Sequence, residues 1–70
     1  MRKRVVLNSS AIAVVIYNFE RRTLDMQYSE GETYRYFAVP QFTFEALLAA
    51  ESAGAFWNSV KDNYHFEKLE

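Results

Sequence analysis

The run Gly31-Glu32-Thr33-Tyr34-Arg35-Tyr36-Phe37-Ala38-Val39-Pro40 limits the possible folds more than any other stretch of this chain. It opens on a glycine, closes on a proline and has the β-rich composition of a strand, in which successive side chains point to opposite faces. Tyr34, Tyr36 and Ala38 then share one face, and Thr33, Arg35, Phe37 and Val39 share the other. The chain before this run reads as strand and the chain after it as helix, which gives an α+β fold with the run at its centre.

The turn that enters the run selects its register. A two-residue Glu30-Gly31 loop would force Glu30 to positive φ, which glutamate resists, whereas a three-residue Ser29-Glu30-Gly31 loop puts only the glycine there. Tyr28 then pairs with Glu32, Met26 with Tyr34 and Leu24 with Tyr36, and Asp25 faces Arg35. That opposite-charge pair is an independent mark of the same register. It turns Tyr34 and Tyr36 toward the core, with each hydroxyl at the core's rim.

Ala11 to Asn18 is a strand rich in β-branched residues and apolar on both faces. Asn18 to Arg22 connects it to a second strand, Thr23 to Tyr28. Pairing Tyr17 with Thr23 sets Ile16 across from Leu24, Val14 from Met26 and Ile12 from Tyr28, one continuous core face. The opposite face then carries Val15, Tyr17, Asp25, Gln27, Arg35 and Phe37. Upstream, Met1 to Arg4 reads as a solvated basic tip, Val5 to Leu7 as a short extended segment and Asn8-Ser9-Ser10 as a turn.

After Pro40 the period changes. Phe44, Leu47, Leu48 and Glu51 follow helical spacing, so Gln41 to Glu51 is predicted to be a helix that starts on the proline. Ser52 suits the N-cap of a second helix, with Gly54 in its first turn to allow close approach of the first helix. Phe56 and Val60 mark its inner face, Trp57 covers a seam or is partly exposed, and Tyr64-His65-Phe66 is an extended tail docked on the fold. The architecture predicted is a three-stranded antiparallel meander followed by two short helices packed on one face.

Seventy residues, half of them hydrophobic and 17% aromatic, make one domain over 1–70 that relies on large rings for its core. The absence of cysteine excludes a disulfide framework and thiolate chemistry and fits the cytoplasm. The longest apolar run, Ala11 to Tyr17, is far below the roughly 20 residues of a membrane helix, and the first residues lack a signal-peptide pattern. No membrane association is expected. Leu69-Glu70 carries no weight, since a short vector-derived tail would read the same.

A catalytic constellation is not evident. His65 is the one histidine, Ser9 and Ser10 lie in no hydrolase signature, and Glu45, Glu51, Asp62 and Glu67 are scattered. With two glycines there is no phosphate loop, and no metal site or cofactor is expected. A binding module is the better expectation. A net charge of −1 confines any nucleic-acid contact to a local basic patch. An exposed sheet face bearing Tyr17, Arg35 and Phe37 would suit stacked bases of single-stranded RNA. The same face suits a protein partner, a homodimer, or cover by the chain's own ends.

The order Ser9-Ser10, Ile12 to Tyr17, Leu24, Gly31, Tyr34-Arg35-Tyr36-Phe37, Val39-Pro40, Leu47, Ala50, Ser52, Gly54, Phe56, Asn58, Val60 and Tyr64-His65-Phe66 resembles the KTSC domain family over residues 8–66. That family is named for a domain at the C-terminus of some lysyl-tRNA synthetases and also occurs as small free-standing bacterial proteins. The resemblance implies a link to RNA or tRNA and singles out Tyr34 and Tyr36 with Arg35 between them. Phe37, Tyr17 and Lys61 complete the expected RNA-binding set, and Arg21 and Arg22 are further candidates for phosphate contact. Similar sequences are more basic between helix and tail, where this chain has Glu51, Asp62 and Glu67.

Overall fold

The Ser29-Glu30-Gly31 loop sets its register as its chemistry predicts. Gly31 takes φ +111°, its N–H donates to the Tyr28 carbonyl at 2.9 Å, and the Tyr28 N–H donates to the Glu32 carbonyl at 2.8 Å. Leu24 lies opposite Tyr36, Asp25 opposite Arg35 and Met26 opposite Tyr34. The computed structural model from which these contacts come describes residues 1–69.

The sheet has five strands rather than three. β1 (Arg2–Val6), β2 (Ile12–Asn18), β3 (Thr23–Tyr28), β4 (Thr33–Tyr36) and β5 (Phe66–Leu69) run in that order, each antiparallel to the next. The two additional strands are its edges. The basic tip is not a free tail: Arg2 pairs with Asn18 and Val6 with Val14. The expected tail becomes β5, which pairs Phe66 with Tyr36 and Leu69 with Thr33. Glu70 lies outside the described residues. Both edges are dense in charge, which hides them from a hydrophobic-pattern reading and also blunts edge-to-edge pairing.

The face of β2 is the second correction. Ile12 pairs with Tyr28 as expected, but the register then shifts, so that Val14 meets Gln27, Val15 meets Met26 and Tyr17 meets Leu24. Ala13 is the extra residue of a β-bulge. Val15 and Tyr17 are therefore buried with Leu24 and Met26, and Val14 and Ile16 turn to the other face. The hairpin accommodates the change with a four-residue loop, Phe19 to Arg22, in which Arg22 adopts φ 57°.

Beyond Tyr36 the strand alternation ends. Ala38 takes φ 56° and reverses the chain. Val39 is thereby fully buried, whereas strict alternation would have put it on the face of Arg35. The Val39 N–H donates to the Arg22 carbonyl at 2.8 Å, tying this reversal to the β2–β3 hairpin.

α1 spans Gln41–Ala49, two residues short of the expected end, and buries Thr43, Phe44 and Leu47. The Phe44 ring stacks on Tyr17 at 4.7 Å between centroids. α2 spans Ala53–Val60, and Ser52 caps it by accepting from the Ala55 N–H at 3.2 Å. Its buried residues are Ala53 and Trp57, one turn apart, while Phe56 and Val60 are half-buried. Trp57 is 1% exposed and meets Tyr36 edge-on at 4.9 Å, so it belongs to the core rather than to a seam. A 3-10 turn, Lys61–Asn63, leads to β5. No helix among the described residues is long and apolar enough to cross a membrane.

Gly54 is small for a different neighbour than the one expected. A Cβ there would lie 2.9 Å from the Ala11 Cβ, so it is the β1–β2 loop, not α1, that needs the space. Ser9 fixes that loop by accepting from the N–H groups of Ala11 and Ile12. Gly54→Ala is expected to destabilise the fold by about 1–3 kcal/mol through overpacking, against a gain in helix propensity of about 1 kcal/mol. Urea denaturation checks it, and an unchanged or raised midpoint would show that the loop yields freely.

Candidate functional site

Five segments, β4 among them, line a cleft of about 680 Å³. Tyr28 and the Ser29-Glu30 turn form one side, Tyr34 and Tyr36 the floor, Phe66 another side, and Lys61 and Asp62 part of the rim with Ser10 and Ala11. The rings arrive there because Tyr28, Tyr34 and Tyr36 share the inward face that the Gly31 turn dictates, and β5 adds Phe66 directly across from Tyr36.

The floor is an aromatic assembly. Tyr34 meets Tyr28 edge-on at 5.7 Å and lies tilted against Phe66 at 5.4 Å. The Tyr28 and Tyr36 hydroxyls are 2.8 Å apart and hydrogen-bonded. Burial, reinforced by the bond to Tyr36, pushes the Tyr28 phenol well above the ordinary tyrosine range. The Trp57 indole N–H beside the same phenol works against that rise, yet it is buried and makes no hydrogen bond among the described residues. The Tyr28 phenol is thus a neutral hydrogen-bonding group, not a base. On the rim, Lys68 binds Glu32 at 3.2 Å, which leaves Glu30, Asp62 and Lys61 as its other charged groups.

The residues expected to bind RNA do not form one surface. Tyr34, Tyr36 and Lys61 line the cleft. Arg35 lies on the opposite face of the sheet, where its Nε and one terminal nitrogen donate to the two oxygens of Asp25 at 2.7 and 2.9 Å. Asp25 also raises the arginine's pKa further. Tyr17 is enclosed: it is 1% exposed and its hydroxyl donates to the Val39 carbonyl at 2.6 Å. Phe37 is exposed beside the Ala38 reversal and does not line the cleft. His65 is exposed and contributes its carbonyl to the Phe37 N–H.

Sequence reasoning passed over Tyr28 and Phe66 as parts of a site, and Trp57, a candidate for an apolar protein interface, is instead buried in the core. Tyr28 was detectable, since the same alternation that turns Leu24 and Met26 inward carries it to the open end of that face. Phe66 was not, because its position depends on a β5 strand whose Glu67 and Lys68 give no hydrophobic signal.

The family model of the KTSC domain matches residues 8–65. A protein from Stutzerimonas stutzeri that bears the name "uncharacterized protein" is 41% identical over 64 residues, covering 91% of this chain and 90% of that one. A protein from Tsukamurella paurometabola is 41% identical over 54 residues, covering 77% and 81% respectively. The crystal structure of a KTSC domain protein from Yersinia pestis superposes with a TM-score of 0.90 at 29% identity, with both chains covered in full.

The Tyr28 shift has a definite sign. A phenol whose folded pKa is raised stabilises the fold fully below the unfolded value of about 10, and this contribution is lost as pH rises from there toward the folded value. Tyr28→Phe is therefore expected to cost about 0.5–1.5 kcal/mol at neutral pH and to flatten the alkaline decline in stability. Urea midpoints at several pH values above 9 measure it, and an alkaline slope as steep as the parent's would contradict it.

Proposed function

We propose, for a chain that belongs to the KTSC domain family, that it is a non-catalytic binding module whose cleft takes one flat ring, a base unstacked from single-stranded RNA or tRNA. The observation that supports this is the convergence of Tyr28, Tyr34 and Phe66 around a cleft that also carries polar groups of both kinds. Aromatic faces accept any base by stacking. The phenol pair can donate to a base carbonyl, and the Glu30 and Asp62 carboxylates can accept from exocyclic amines. In this reading α1 and α2 together cover the Leu24–Tyr36 face and leave the cleft at its open end. The place of action is the cytoplasm, where such RNA resides.

The rim suits a base better than a run of phosphates. Among the described residues, Lys61 is its one cation without a salt bridge, against the carboxylates of Glu30 and Asp62. Binding is therefore expected to depend weakly on salt, with a log–log slope of about −0.7 for a single phosphate contact. The fluorescence of Trp57, edge-on to Tyr36, reports occupancy in a titration with uridine, adenosine or cytidine tetranucleotides. Tyr34→Ala is expected to weaken binding by about 1–3 kcal/mol. No saturable response to any tetranucleotide, or a response indifferent to Tyr34→Ala, would contradict the reading.

A second reading draws on exposed rings. Phe66 is 58% exposed on an edge strand and Phe42 73% exposed on α1. Such rings suit a self-associating or protein-binding module. Sedimentation over a range of concentrations separates the two: concentration-dependent dimers abolished by Phe66→Ser support association, and a monomer at all concentrations removes the homodimer.

A further inference from the structure

The sheet face turned away from Phe44 and Trp57 carries a second concavity, of about 160 Å³, at the end of the molecule opposite the Gly31 turn. Arg2, Arg21 and Arg35 line it, with Asn18, Thr23 and Asp25. The pairing assembles them: Arg2 lies opposite Asn18, Asn18 opposite Thr23, and Asp25 opposite Arg35. Arg21 comes from the hairpin, whose shape is fixed by the Asn18 carboxamide oxygen accepting from the N–H groups of Glu20 and Arg21 at 3.0 Å.

The charges in this groove are unequal. Three guanidinium groups meet one carboxylate, and both oxygens of that carboxylate are already engaged by Arg35. Arg35 is thereby held in place while, among the described residues, its second terminal nitrogen makes no hydrogen bond. Among the described residues, neither Arg2 nor Arg21 has an acidic partner within ion-pair distance. Glu20, the nearest acid in the hairpin sequence, lies 3.8 Å from the amino group of Met1 instead. Arg4, across from Ile16, adds a further positive charge on the same face, and Glu67, across from Arg35 on β5, adds a negative one. On a chain of net charge −1 this is a concentrated positive site.

We infer that this groove binds a phosphate group. A carboxylate has two acceptor oxygens and is satisfied by one guanidinium fork, as Asp25 is by Arg35. Two further forks, from Arg2 and Arg21, call for an anion with more acceptor oxygens, and a tetrahedral phosphate has them. The site owes nothing to the aromatic cleft, which lies on the other face, and it stands or falls independently of the base-binding reading. The phosphate can be a free monoester or one link of a polynucleotide.

The test is a set of ¹H–¹⁵N spectra of the whole chain titrated with inorganic phosphate at constant ionic strength, then with a mononucleotide and a tetranucleotide. Saturable shifts are expected at the amides of Asn18 to Thr23 and at the Arg35 Nε. The double variant Arg2→Ala/Arg21→Ala is expected to weaken the response about tenfold or more. Lys3→Gln, which removes one charge from β1 on the face that pairs with Tyr17, is expected to leave it unchanged. If the tetranucleotide moves the same signals at lower concentration than phosphate, the source is a phosphodiester. If only phosphate and the mononucleotide move them, it is a monoester. Shifts that never saturate, or that Lys3→Gln reduces as much as the double variant, overturn the site. A failure of the cleft alone would appear as silence at Ser29 and Tyr34 with the groove signals intact.

Discussion

The extra residue at Ala13 governs what each face of this sheet can do. Ile12 and Tyr28 pair in phase, and one residue later the order of β2 is inverted, so that Val15 and Tyr17 enter the core. Tyr17 is the reason this inversion is favourable. Its ring stacks on Phe44, meets Phe19 edge-on at 4.9 Å and carries a hydroxyl that satisfies the buried Val39 carbonyl. A buried tyrosine removes about 150–250 Å² from water, and Ile16 in its place could make neither the stack nor the hydrogen bond. The Val39 carbonyl is presented to Tyr17 by the Ala38 reversal, so the bulge, the stack and the left-handed residue support one another.

One consequence is the separation of rings from charges. With Tyr17 inside, the opposite face presents Val14, Ile16, Asn18, Asp25, Gln27 and Arg35 and no aromatic side chain from β2, β3 or β4. The rings gather instead where the inward face opens beyond the helices, around Tyr34. Among the described residues, β2, β3 and β4 form no flat aromatic and basic platform of the kind that binds several stacked bases. The sites proposed for a base and for a phosphate therefore lie on different faces.

The residues that were legible in the sequence had local causes. Gly31 and the Asp25–Arg35 pair gave the β3–β4 register, and Ser52 gave the start of α2, because each acts within a few residues or across one strand. The face of β2 was not legible, since Ala11 to Tyr17 is apolar on both sides and a bulge at an alanine leaves no mark. Charge concealed β1 and β5, although edge strands are where charge is tolerated. Trp57 was misplaced because its inward partner on α2 is Ala53, too small to register as part of an apolar stripe beside Phe56 and Val60. The cleft depends on all of these at once and could not be read from any one of them.

The inversion of β2 is most directly tested by nuclear Overhauser contacts. The account predicts cross-peaks from the Tyr17 ring to the Phe44 ring and from the Val15 methyl groups to Met26, with Ile16 showing none to α1. Cross-peaks from Ile16 to Phe44, with a Tyr17 ring that has no contact to α1, would mean that the strand continues without a bulge. The tyrosine would then lie on the same face as Arg35, and the separation of rings from charges would be lost.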